Sequence, residues 1–227
     1  MRDSLILWDI DGTLVCTDRA GERSLLILIK ELYGRDLGEK LPVKLAGRTD
    51  VSITRDILAF LGIESTPEEE KRFREAYLAF LPRTLPAGKA KLLPGIKEAL
   101  DAIHAHPEIH QGLLTGNLEA GAKLKLEHLG IWQYFEFGAF ADDSHIRDEL
   151  GPFALARAKE KLGITFPPER VFIIGDTPAD VACGKAIGAK TIAVATGSFS
   201  VAELEACEPT HTFKDLADTG GLLRVVL

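Results

Sequence analysis

Two aspartates one residue apart close a short apolar run: Leu5-Ile6-Leu7-Trp8 leads straight into Asp9-Ile10-Asp11-Gly12-Thr13. A second acidic pair ends a later run, in Ile174-Gly175-Asp176-Thr177-Pro178-Ala179-Asp180. Like charges held close together resist joint ionisation. Four carboxylates converging on one spot therefore call for a hard divalent cation, and Mg2+ prefers such oxygen ligands alongside a substrate phosphate. The cation would answer a second difficulty, since a carboxylate attacks a phosphate dianion readily only when charge is neutralised. A third run, Ile109 to Leu114, ends in Thr115-Gly116-Asn117, which brings a hydroxyl and a glycine to the same kind of position. A fourth, weaker one, Phe135-Glu136-Phe137-Gly138, leads toward Asp142, Asp143 and Arg147. Asp and Gly at strand ends also serve as plain turn formers. The recurrence of polar chemistry after run upon run, in this order, favours one shared site.

The elements that must position these residues follow from the apolar patterning. A strand apolar on both faces belongs inside a parallel sheet covered by helices. Leu5–Trp8, Ile109–Leu114, Val171–Ile174 and Thr191–Ala195 have that character. Helical periodicity lies between them, over Gly95–His104, Leu118–Leu129, Pro152–Leu162 and Pro178–Ile187. Strands alternating with helices predict an α/β fold with a doubly wound parallel sheet, whose ligands sit beyond the carboxyl ends of the strands. Residues 18–86 differ, with helical patterns at Glu22–Tyr33, Val51–Leu61 and Pro67–Leu81 and breaks at Gly34, Leu41-Pro42, Gly62 and Pro82. A helical block inserted after the first strand reads as a small cap domain, 18–86, on a core of 1–17 and 87–227. Pro86-Ala87-Gly88 and Leu93-Pro94-Gly95 mark the return to the core.

Composition bounds the partners. The 227 residues are 46% hydrophobic and 27% charged, which suits a folded globular chain and not a disordered one. A formal net charge of -7 provides no electrostatic footprint for nucleic acid or an anionic membrane. No apolar run approaches the ~18 residues of a membrane span, and the start is too short and acidic for a signal peptide. Cys16, Cys183 and Cys207 lack metal-type spacing and are expected as free thiols of a cytoplasmic protein. None of the six histidines has ligand spacing either; His145 alone is expected near the site.

Trp8-Asp9-Ile10-Asp11-Gly12-Thr13-Leu14 resembles the first motif of the haloacid dehalogenase-like phosphatase superfamily, and the likeness extends over nearly the whole chain. The resemblance implies a Rossmann-like core, Mg2+ as cofactor, Asp9 as nucleophile and Asp11 as general acid/base. Leu113-Leu114-Thr115-Gly116-Asn117 looks like the second motif, implying that the Thr115 hydroxyl and the N–H groups of Gly116 and Asn117 hold phosphoryl oxygens. The segment Ile174–Asp180 looks like the fourth, implying Asp176 as metal ligand beside the Asp9 carboxylate and the Asp11 carbonyl, with Asp180 in support. The third motif departs from the family, which usually has a lysine there. His145-Ile146-Arg147-Asp148-Glu149 offers Arg147 instead, with Lys159 and Lys161 on the next helix as alternatives and a surface ion pair as its ordinary role. The insert is similar to the cap of the branch holding phosphoglycolate phosphatase and β-phosphoglucomutase. Within it Ala46-Gly47-Arg48-Thr49-Asp50 resembles the substrate-facing loop; Arg48 would meet substrate, while Thr49 or Asp50 would either assist or cap the following helix.

The expected activity is Mg2+-dependent hydrolysis of a small phosphomonoester through an aspartyl-phosphate. A phosphomutase sharing the same acids is the alternative. Phosphonate cleavage would need a cap lysine, for which only Lys40 and Lys44 are placed. A dehalogenase would lack an acid at position 11. A non-catalytic phosphoacceptor or binding protein would have no need of the paired acids together with a cap.

Overall fold

The computed structural model describes residues 3–86 and 88–227; Met1 and Arg2, and Ala87 at the expected return to the core, lie outside the described residues. The first strand, β1 (Ser4–Trp8), is buried along its whole length. Its side chains alternate between two helical layers, as a period of two requires. Leu5 and Leu7 pack with Leu150, Ala154 and Ala158 of α6 (Leu150–Leu162). Ile6 and Trp8 pack with Ala99 and Ile103 of α4 (Ile96–His104) and Ala122 and Leu126 of α5 (Glu119–His128).

The remaining strands of the sheet are β4 (Ile109–Leu114), β5 (Gly138–Ala139), β6 (Val171–Gly175), β7 (Lys190–Val194) and β8 (His211–Phe213). The spatial order is β5-β4-β1-β6-β7-β8, and every pairing is parallel. Trp8 stands opposite Leu113 on one side and Ile174 on the other, so the three polar segments that follow these residues emerge side by side. A two-stranded antiparallel ribbon, β2 (Val15–Cys16) with β3 (Lys91–Leu92), joins the two chain passages between the sheet and the helical block. The core is completed by α7 (Pro178–Ala186), α8 (Val201–Glu205) and α9 (Thr219–Val226).

The block consists of α1 (Ala20–Tyr33), α2 (Asp50–Leu61) and α3 (Pro67–Thr84) around its own apolar cluster, which includes Leu28, Ile57, Phe73 and Leu81. Pro82 does not break α3 as the sequence suggests. A proline here costs one i→i−4 hydrogen bond and crowds the carbonyl four residues back, but the turn is anchored by tertiary contacts: Leu81 is fully buried and Thr84 Oγ1 donates to Ala20 O at 3.0 Å. The run Phe135–Gly138 also corrects to a shorter strand. A 3-10 turn at Trp132–Tyr134 takes up its approach, and only Gly138 and Ala139 pair with β4. Phe137 packs over Gly112, where a Cβ would lie 2.5 Å from its ring.

Candidate active site

The chain fills one edge of the sheet through β1, β4 and β5, then returns beside β1 with β6 and fills the other. Strand order reverses at β1 and β6, and the crevice beyond their carboxyl ends is where an open α/β sheet binds ligands. A cavity of about 480 Å3 opens there. Its core side carries Asp9, Asp11, Asn117, Lys125, Arg147 and Asp176, and its other wall comes from the helical block through Leu25, Arg48, Ile53 and Tyr77.

Asp9 follows β1 directly, its N–H donating to Ile174 O at 2.9 Å, so the nucleophile candidate is tied to the next strand. The chain then turns sharply: Gly12 adopts φ +85°, and its N–H donates to Val15 O at 2.9 Å. Glycine is required there twice over, because a Cβ would also lie 2.4 Å from Asp176 Oδ2. Gly197, in the loop after β7, comes closer still: a Cβ there would lie 1.7 Å from the same Asp176 Oδ2. At the start of α7, the Thr177 N–H and hydroxyl both donate to Asp180 Oδ2, at 3.0 and 2.7 Å, a capping box that fixes the Asp180 carboxylate.

One oxygen each from Asp9, Asp176 and Asp180 lie within 4.8 Å of one another, and all three residues are buried. Arg147 enters this cluster from a 3-10 turn, Arg147–Glu149, just before α6. Its Nη2 donates to Asp180 Oδ1 at 2.5 Å and stands 3.0 Å from Asp9 Oδ1. The arginine, 8% exposed, is therefore no surface residue; burial works against its charge, but Asp180 and Asp9 hold its pKa above the usual value. Its Nε is buried and finds no partner among the described residues. Lys159 and Lys161 are exposed on α6, and Lys161 instead faces Glu136 at 3.9 Å.

One arginine does not balance three buried acids. Burial pushes Asp9 up to about 6, Arg147 pulling it back and Asp180 adding to the rise. Burial likewise pushes Asp176 up to about 8, with Asp9 and Asp180 adding to it and the Thr13 hydroxyl, 3.2 Å from Oδ1, opposing. A buried set of hard oxygen donors with residual negative charge is what a small divalent cation fits.

The other predicted residues fall into distinct places. Thr115 is fully buried behind the cavity wall; its Oγ1 accepts from Asn117 Nδ2 at 2.9 Å, which leaves its own proton to donate. Gly116 lies against Arg147 Nη1 and the Arg48 carbonyl, too close for a Cβ. The Asn117 side chain is engaged with Asp11, donating to Oδ2 at 2.9 Å. Arg48 sits at the rim and pairs with Asp56 at 2.8 Å, both side chains 40% exposed. Thr49 caps α2, accepting from Ser52 N–H at 3.2 Å. Asp50 crosses to the core instead, where its carboxylate accepts from Leu118 N–H at 2.9 Å and its own N–H donates to Gly116 O at 2.7 Å. His145 corrects: it is exposed and absent from the cavity wall, and only its carbonyl takes part, accepting from the Thr49 hydroxyl at 2.8 Å.

Sequence reasoning missed Lys125. It stands on the inward face of α5 with Gly121, Ala122 and Leu126, and its Nζ donates to Asp11 Oδ2 at 2.5 Å and to Asn117 Oδ1. The available signal was a lysine interrupting the apolar stripe of a helix that follows the Thr115 segment.

The comparisons with known proteins agree with this geometry. A family model described as haloacid dehalogenase-like hydrolase matches residues 6–194. A Dickeya dadantii protein bearing the name "Probable phosphatase IndB" is 26% identical over 230 residues, spanning 98% of this chain and 94% of its own length. A phosphoglycolate phosphatase of Nitrosococcus oceani is 26% identical over 229 residues, spanning 96% of each. Among solved structures, CbbY from Rhodobacter sphaeroides in complex with phosphate aligns with a TM-score of 0.75 at 18% identity, over 99% of this chain and 100% of that one. At that identity the likeness speaks for the fold.

Proposed function

Since this chain belongs to the haloacid dehalogenase-like hydrolase family and is a hydrolase of the phosphatase type, we propose that it hydrolyses a small phosphomonoester, with Mg2+, through a phosphoryl group carried on Asp9. The observation that carries this reading is the meeting of Asp9, Asp176 and Asp180 with a buried Arg147 at the strand ends. Asp9 and Asp176, with the Asp11 carbonyl and Asp180 in support, would hold the cation, which when bound neutralises charge between the attacking carboxylate and the phosphoryl group.

The chain's own residues divide the work as follows. An Asp9 carboxylate oxygen forms the new bond to phosphorus while the bond to the ester oxygen breaks. Asp11 gives its proton to that leaving oxygen, then takes one from the water that attacks the aspartyl-phosphate, releasing inorganic phosphate and restoring Asp9. Arg147, the Thr115 hydroxyl and the Gly116 N–H hold the phosphoryl oxygens. Arg147 also offsets Asp9 at 3.0 Å. Residues 18–86 act as the cap that covers the leaving-group end of the cavity. Arg48 is available at its rim, because an ion pair as exposed as Arg48–Asp56 is worth only ~0–1 kcal/mol.

The test is phosphate release from p-nitrophenyl phosphate and from a panel of metabolite phosphates. EDTA should abolish it, Mg2+ should restore it, and Ca2+ should substitute poorly. Undiminished turnover in verified metal-free protein contradicts the metal assignment. A requirement for a bisphosphate activator, with a rearranged sugar phosphate as product, would make the enzyme a mutase.

A further inference from the structure

We propose that Lys125 is a positioning residue for Asp11: with Asn117 it clamps one carboxylate oxygen so that the other faces the leaving group. The inference rests on the phosphatase reading above, and the test below separates the two.

Asp11 receives both of its side-chain contacts on Oδ2, from Lys125 Nζ at 2.5 Å and from Asn117 Nδ2 at 2.9 Å. Lys125 Nζ also donates to Asn117 Oδ1, so the three side chains close a ring of hydrogen bonds. Asn117 Nδ2 extends the ring to Thr115 Oγ1 at 2.9 Å, linking it to the segment expected to hold phosphate. Among the described residues Oδ1 of Asp11 takes no side-chain hydrogen bond, and the carboxylate stays 42% exposed on the cavity wall. One oxygen is held and the other is presented.

Stability alone does not account for a lysine here. Lys125 is 4% exposed on a helix face otherwise made of Gly121, Ala122 and Leu126. Only the lysine of this pair is buried, and taking an ammonium out of water costs free energy that an apolar side chain of similar length would not. Held in this ring, the Asp11 carboxylate has few rotamers to lose on reaching the transition state. The family's general acid needs that fixity, since a misplacement of about 1 Å can lower a rate ~10²-fold.

A double-mutant cycle decides the matter. kcat and KM are measured with Mg2+ and p-nitrophenyl phosphate for wild type, Lys125→Met, Asp11→Asn and the double variant, with thermal unfolding to verify each fold. Lys125→Met should lower kcat about 10–10²-fold with KM changed less than about threefold. Lys125→Arg should recover part of the loss, and it replaces Lys125→Met in the cycle if the methionine variant does not fold. In the Asp11→Asn background the Lys125 substitution should cost less than about threefold, because the group it positions is gone. A full, additive loss in that background overturns the proposal, as does an effect confined to KM or none at all. If Asp11→Asn itself keeps wild-type kcat, the general acid/base assignment falls first and the role of Lys125 falls with it.

Discussion

Arg147, which the sequence resemblance puts in place of the family's usual lysine, has a geometry suited to that role. A single Nη2 reaches two carboxylates, Asp180 at 2.5 Å and Asp9 at 3.0 Å. The guanidinium's other donors remain: Nη1 lies against Gly116, and Nε is buried with no partner among the described residues. A lysine ammonium would supply the charge without the fork. Arg147→Ala should therefore lower kcat/KM ~10²-fold or more, the scale of losing one placed electrostatic contact. Arg147→Lys should regain part of that, and Lys159→Ala and Lys161→Ala should be silent in the same assay. A near-silent Arg147→Ala would contradict the assignment. Arg147 was legible because the segment 141–149 contains no other basic side chain except His145. The roles of Asn117 and Lys125 were less so. An asparagine after Thr-Gly reads as part of a phosphate loop. Only the fold reveals that its amide turns toward Asp11 to meet a lysine from the second turn of the following helix.

At the scale of elements, the sequence was clearest where burial was most complete. β1, β4 and β6 were bounded to within a residue: β1 and β6 are apolar on both faces, as strands of a covered parallel sheet are, while β4 carries His110 and Gln111 and becomes wholly apolar only at Leu113–Leu114. The edges were harder to read. β8, His211–Phe213, is only partly covered, so its residues lack the continuous apolar signature. β5 owes its two paired residues to a ladder position beside β4 and not to its own composition. The ribbon of β2 and β3 joins residues 15–16 to 91–92, a pairing across the whole helical block that no local pattern encodes. Pro82 shows a tertiary anchor overriding a local breaker, with Leu81 and Thr84 both buried on either side of it. At the crossing from block to core, the Ala46–Asp50 loop borders the cavity, but the Asp50 contacts to Gly116 and Leu118 depend on docking and left no local signal.

The whole molecule concentrates uncompensated negative charge at one place, and this should be visible in its stability. Burial raises Asp9 and Asp50 to about 6 and Asp176 to about 8, against an ordinary value of 3.8. A carboxyl whose folded pKa is raised binds its proton more tightly in the native state, so its ionisation destabilises the fold as pH rises through that range. The paired carboxylates Glu22, Glu70 and Asp101 are shifted downward and act in the opposite sense, below their unfolded values. The metal-free protein should thus have its highest Tm at about pH 4–5, just above the unfolded carboxylate values, and lose stability from there toward pH 8, most steeply below about pH 6 where Asp9, Asp50 and Asp176 all contribute. Asp50→Asn should flatten part of that slope, and Mg2+ should raise Tm most at the alkaline end, where the acids it neutralises are ionised. A metal-free Tm that climbs steadily toward pH 8 would contradict this charge balance. The same centre makes the chemical claim, that phosphate passes through Asp9. The most direct test is to quench the protein during turnover of p-nitrophenyl phosphate with Mg2+, trap acyl phosphates with borohydride, and map the product by mass spectrometry. The account predicts conversion at position 9 alone, enhanced in Asp11→Asn if that variant is still phosphorylated, and absent in an inactive Asp9→Asn. An unmodified Asp9 in a protein demonstrably phosphorylated elsewhere, or an Asp9→Asn variant that still turns over, would contradict it.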